Sequence, residues 1–167
     1  VLGVNLWEIL FMIKRLYIIT GAPNVRKSSV IRALTGVFLS DTFQIQFEND
    51  TTPTQTHVMI ASPNEIKSTV YEQGMTIQQL FDYLNNLNEN DTAVILPIRS
   101  VNPKFNLPVA SEYIQALHNE GFEIAEVAMF NEAIPLPNGV QGTVLMSNEN
   151  IPSNLTASKL RKIWGIV

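Results

Sequence analysis

The sequence predicts an α/β fold: one domain over residues 14–167, built as a mostly parallel sheet with helices on both faces. Two observations carry that prediction. Runs of β-branched and aromatic residues alternate with stretches whose apolar residues recur every three or four positions. Several of the strand-like runs are continuously apolar, as strands covered on both faces are. A chain of 167 residues, 46% of them hydrophobic, can bury one substantial core, whereas dividing it would leave two undersized ones.

Leu16–Thr20 (LYIIT) reads as a buried strand, and Gly21 to Arg26 as a turn. Lys27–Thr35 follows as a helix, with Val30, Ile31 and Leu34 on one face and Gly36 placed to cap its end. Phe43–Phe47 alternates apolar and polar like a half-exposed strand, and His57–Ala61 is a second strand beside it, the two forming an antiparallel edge. The polar segment between them, ENDTTPTQT (48–56), reads as a mobile surface loop. Thr76–Leu87 carries the clearest helical signal: Thr76 and Gln79 make a capping box, and Ile77, Leu80, Phe81, Leu84 and Leu87 share a stripe. An Asn-rich stretch ends it.

Thr92–Ile98 (TAVILPI) has the continuous apolar character of an interior parallel strand. Arg99–Leu107 reads as a loop, Pro108–Glu120 as a helix closed by Gly121, and Glu123–Phe130 as a strand. A segment punctuated by Pro and Gly leads to a short strand, Thr143–Met146, and a final helix, Ala157–Trp164. That helix turns Leu160, Ile163 and Trp164 inward and Lys159, Arg161 and Lys162 outward.

Composition narrows the functional classes. A net charge of -4 offers no cationic surface for nucleic acid, so no such partner is indicated. The lack of cysteine excludes disulfides, thiolate zinc sites and cysteine nucleophiles, and fits a reducing cytoplasm. With His57 and His118 the only histidines, any metal is expected to be a hard, oxygen-liking ion. His57 reads as a partly exposed structural residue and His118 as a helix-end cation. Val1–Ile13 is apolar but shorter than the ~20 residues of a membrane span, and its positive charge follows the apolar run instead of preceding it, unlike a signal peptide. No membrane partner is expected. Two readings of this segment stay open: an N-terminal arm or appended piece, with Met12 as the natural start, or an amphipathic segment packed on the body.

The chemistry concentrates in LYIITGAPNVRKSSVIRALTG, residues 16–36. A glycine turn between a buried strand and a helix presents unpaired N–H groups and the positive end of the helix dipole to an anion. This stretch resembles the Walker A phosphate loop, G-x-x-x-x-G-K-[ST], of the P-loop nucleoside triphosphatases. Gly21, Lys27 and Ser28 occupy the first glycine, the lysine and the hydroxyl position. The resemblance implies a three-layer P-loop sandwich and a nucleotide held by Gly21, Ala22, Pro23, Asn24, Val25, Arg26, Lys27, Ser28 and Ser29. It further implies that Lys27 is the catalytic cation on the β- and γ-phosphates, that Ser28 ligates Mg²⁺, and that Ser29 touches the α-phosphate. The cofactor expected is Mg²⁺ with ATP or GTP.

The sequence departs from the pattern at Arg26, which stands where the second glycine belongs. A loop with negative φ would tolerate that side chain, and its charge suits a phosphate or an acidic group. The acidic residue expected at a strand end is also missing. Glu48 and Asp50 are the nearest substitutes and Glu65 the next, each read first as a solvated loop carboxylate. Neither N-K-x-D nor D-x-x-G occurs, which argues against a regulated GTPase. Arg99 and Lys104 follow a strand's carboxyl end, where open α/β sheets bind ligands. The expected activity is an ATP-dependent phosphotransferase or NTPase acting on a small substrate. A module without turnover that binds a partner protein, and an assembly subunit borrowing its acid from a neighbour, remain open beside it.

Overall fold

The computed structural model describes residues 14–101 and 103–167. The expected N-terminal arm, 1–13, lies outside the described residues. Six strands form one sheet: β1 (Arg15–Gly21), β2 (Asp41–Ile45), β3 (Thr54–Val58), β4 (Ala93–Arg99), β5 (Glu123–Phe130) and β6 (Gly142–Leu145). They lie in the order β2-β3-β4-β1-β5-β6, and every pairing is parallel except β2 with β3. Among the described residues four α-helices accompany them, α1 (Lys27–Thr35), α2 (Ile77–Asn85), α3 (Ala110–Glu120) and α4 (Ser153–Trp164), with a single 3-10 turn at Lys104–Asn106.

Successive strand residues point to opposite faces, and β1 shows the consequence. Tyr17 and Ile19 join Val30, Ile31 and Leu34 of α1 and Ala157, Leu160 and Trp164 of α4 in one apolar cluster. Leu16 and Ile18 join Leu80 and Leu84 of α2 and Tyr113, Ile114 and Leu117 of α3 in another. Each fully buried Leu or Ile in these clusters stabilises the fold by about 1.5–3 kcal/mol.

Both ends of α1 fall where the sequence puts them. Gly36 takes φ 74°, and its N–H reaches the Arg32 carbonyl; Arg161 of α4 donates to the Leu34 carbonyl at 2.6 Å. The capping box of α2 is present in both directions, Thr76 Oγ1 accepting from Gln79 N–H at 3.1 Å and Gln79 Oε1 from Thr76 N–H at 2.8 Å.

Several boundaries differ from expectation, among them the end of the second edge strand, expected at Ala61 and found at Val58. Thr54–Thr56 belong to β3, not to a loop, because they pair with Phe43–Ile45 in the edge hairpin, a setting that suits threonine. Phe47 lies beyond β2 and makes an isolated bridge to Ile166. Helix α4 begins at Ser153, four residues before its apolar stripe, with a polar first turn that periodicity does not register.

Pro97 explains why β3 is short. The Ile95 carbonyl accepts from Met59 N–H at 2.8 Å, so Ile95 turns its backbone groups toward β3. Pro97, two residues on, faces the same way and has no N–H to offer. The ladder therefore ends at Val58 opposite Ile95, and further along this edge the Asn64 side chain takes up the Arg99 backbone groups.

Candidate anion-binding site

The site lies at the carboxyl end of β1, where the sheet's connectivity reverses. From β1 the chain runs to the hairpin edge and returns through β3 and β4; from β4 it crosses to β5 on the other side of β1. A crevice at such a switch point is where open α/β sheets bind ligands. Here a cleft of about 620 Å³ opens, within the roughly 300–1,000 Å³ usual for small-molecule sites.

One wall is the turn Gly21–Arg26 and the first turn of α1. Of the nine residues expected to hold phosphate, Pro23, Asn24, Arg26, Lys27, Ser28 and Ser29 line the cleft, while Gly21, Ala22 and Val25 form the turn behind them. Gly21 is required by packing, since a Cβ there would lie 2.6 Å from Val25 Cγ2. Asn24 and Arg26 both take left-handed backbone angles, φ 64° and 67°. The negative φ that would tolerate a side chain is not adopted at Arg26: the position has the geometry that favours glycine, and the arginine occupies it at a cost of roughly 1–2 kcal/mol. Its guanidinium reaches the rim and donates to the Glu149 carbonyl at 3.4 Å, leaving the cleft above Lys27 open.

Lys27 is 7% exposed, and its ammonium donates to the carbonyls of Gly21 at 3.0 Å and Ala22 at 2.8 Å. Burial pushes its pKa down to about 8; the charge of Glu65 opposes the shift and that of Arg99 adds to it. The Ser28 hydroxyl donates to the Ile60 carbonyl at 2.9 Å, so its lone pairs stay available as acceptors. Ile60 lies just past the point where Pro97 ends the ladder. Ser147, after β6, secures the turn from the far side: its hydroxyl donates to the Val25 carbonyl at 2.6 Å. Asn131 holds Ser147 in turn, accepting from its N–H at 2.8 Å and donating to its carbonyl at 2.7 Å.

The facing wall comes from the chain after β3 and β4. Arg99, opposite Gly21 in the strand register, pairs its Nη1 with Glu65 Oε1 at 3.1 Å. Asn64, fully buried, clamps the Arg99 backbone, accepting from its N–H at 3.2 Å and donating to its carbonyl at 2.9 Å. Lys104 and Ser62 complete this wall.

Among the three substitute acids, only Glu65 reaches the cleft. Asp50 is bound to Arg15 at 3.0 Å and Thr54 at 2.6 Å, at the opposite end of β1. Glu48 lies against Gly165. His57 is buried, not partly exposed, with Nε2 2.7 Å from the Tyr83 hydroxyl, and lies outside the cleft. Ser62, Asn64, Asn131, Ser147 and Glu149 carried no sequence signal; only their place after strand ends hinted at them.

No group of three or more His, Cys, Asp or Glu side chains is placed to hold a metal among the described residues. Of the oxygen donors lining the cleft, the Ser28 hydroxyl is engaged by the Ile60 carbonyl and the Glu65 carboxylate by Arg99. No helix among the described residues is long and apolar enough to cross a membrane. Comparison with family models, with curated proteins and with solved structures finds no match.

Proposed function

We propose that this chain is a nucleoside-triphosphate-binding protein of the P-loop class, an ATP- or GTP-dependent phosphotransferase or NTPase acting on a small substrate in a reducing compartment such as the cytoplasm. One observation carries the reading: a buried lysine at the first position of α1, at the open end of an interior strand, lining an open cleft. The turn amides and the Lys27 ammonium would hold the β- and γ-phosphates, and the Ser28 hydroxyl would help hold Mg²⁺, which screens phosphate charge when bound. Phosphoryl transfer asks mainly for positioning and charge stabilisation, which these groups can supply. The two clusters on opposite sides of β1 support a three-layer sandwich.

Thermal shift with ATP, GTP and ADP, with and without Mg²⁺, tests the proposal. A nucleotide at 100 times its Kd should stabilise the protein by about 2.7 kcal/mol. Lys27→Ala should abolish the shift, and no shift with any nucleotide overturns the reading. The exposed Arg26 guanidinium at the rim favours one rival, a module without turnover that offers this edge to a partner protein. Nucleotide binding with measurable hydrolysis excludes it.

A further inference from the structure

We infer that the wall opposite the phosphate turn is a second anion subsite, in which Arg99 and Lys104 receive an oxyanion carried by the small-molecule substrate. The inference deepens the nucleotide reading and rests on it for the occupant of the first wall.

Charge balance is the first ground. The cleft is lined by four cationic side chains, Arg26, Lys27, Arg99 and Lys104, against two carboxylates, Glu65 and Glu149. Arg26 is drawn to the rim, which leaves Lys27 and Arg99, both largely buried, as the inner cations of the cleft. Cations gathered in a cleft are stabilised by an anion between them.

Preorganisation is the second ground. Asn64 fixes the Arg99 backbone on both sides, and the side chain is held at Nε by the Val101 carbonyl at 3.2 Å and at Nη1 by Glu65. Nη2 has no hydrogen-bond partner among the described residues. A guanidinium anchored through two of its nitrogens, with the third left over, is shaped to recognise an oxyanion at little entropic cost. Lys104 adds an exposed charge on the same wall. The subsite faces Lys27 across the cleft, so an acceptor anchored there by its anion would present its remaining groups toward the phosphate turn.

The test titrates inorganic phosphate into the full chain saturated with Mg²⁺ and a non-hydrolysable ATP analogue bearing an imido bridge between its β- and γ-phosphorus atoms. That analogue fills the first wall, including the γ position. We expect phosphate to bind, and Arg99→Gln to weaken it about tenfold or more while leaving analogue affinity within about twofold. Lys104→Gln should weaken phosphate less, as an exposed point charge does. Arg99→Lys, which keeps a cation beside Glu65, is the control against misfolding and should bind phosphate between wild type and Arg99→Gln. Phosphate binding that ignores Arg99 overturns the inference, as does Arg99→Gln weakening the analogue instead. Acetate replaces phosphate in a parallel arm, and dependence on Arg99 with either ion upholds the subsite. If no nucleotide binds, the nucleotide reading fails by itself. The subsite is then tested in the nucleotide-free protein: loss of phosphate affinity in Arg99→Gln but not in Lys27→Ala upholds it, and the reverse overturns it.

Discussion

The Lys27 ammonium lies 2.8 Å from the carbonyl oxygen of Ala22, five residues earlier in the same turn. The cation that would meet phosphate thus rests on backbone carbonyls of its own loop, buried and only partly balanced by Glu65. Its folded-state pKa, about 8, lies below the ordinary lysine value of 10.5, so the unfolded chain binds the proton more tightly. The cost of the buried charge is full below pH 8 and disappears as the pH rises toward 10.5. The gap corresponds to about 3 kcal/mol, as an order of magnitude. Denaturant unfolding of wild type and Lys27→Met from pH 7 to 10 should show wild type gaining stability relative to the variant as pH rises. A pH-independent difference would contradict the assignment.

Arg26 separates backbone strain from charge. Arg26→Gly should raise stability by up to about 1 kcal/mol, because glycine accepts φ 67° without the penalty of a Cβ and loses part of that gain to chain entropy. Arg26→Ala keeps the Cβ and loses only the exposed contact to Glu149, so its unfolding midpoint should stay within about 0.5 kcal/mol of wild type. Urea titrations of the two variants distinguish the effects, and equal midpoints would show that the left-handed angle carries no cost.

At Gly21 the expected effect is steric. A Cβ would stand 2.6 Å from Val25 Cγ2 and 3.2 Å from Phe130 Cβ, so Gly21→Ala should destabilise the fold by about 1–3 kcal/mol. A paired Gly21→Ala, Val25→Ala variant should recover part of the loss. Failure to recover any would place the constraint elsewhere.

The Asn131–Ser147–Val25 chain is a strut under the phosphate turn. Ser147→Ala leaves the Val25 carbonyl without its donor and should cost about 1–2 kcal/mol. Asn131→Ala removes both bonds to the Ser147 backbone, and the double variant should fall short of the sum, since both act through Ser147. A double-mutant cycle measured by chemical unfolding reads the coupling, and strict additivity would dissolve the strut.

Loss of Asn64 should be the most damaging of these changes. Fully buried, it bonds the Arg99 N–H, the Arg99 carbonyl and the Pro108 carbonyl. Asn64→Ala orphans all three and leaves a void, a combination expected to cost about 3 kcal/mol or more. Asn64→Asp keeps the acceptor for Arg99 N–H but turns a carboxylate on two carbonyls, so it should not rescue. Circular dichroism melts of the pair check both.

What the sequence determined by itself was governed by neighbours in the chain. Helix α1 and its Gly36 cap, the capping box of Thr76 and Gln79, the glycine turn after β1 and the buried character of β4 all follow from spacings of a few residues, where hydrogen-bond geometry and side-chain periodicity act directly. Strand order, and with it which of the three substitute acids reaches the cleft, depended on contacts between distant segments. Asp50 and Glu65 are equally acidic on paper. Only the folded sheet sends one to Arg15 at the amino end of β1 and the other to Arg99 at the carboxyl end. The left-handed angle at Arg26 was likewise not legible in the sequence, since it belongs to a turn that Ser147 holds from beyond β6 through the Val25 carbonyl. Local rules set which elements form, but a charge acquires its role from groups that packing brings within a few ångströms, and sequence separation carries no record of that distance.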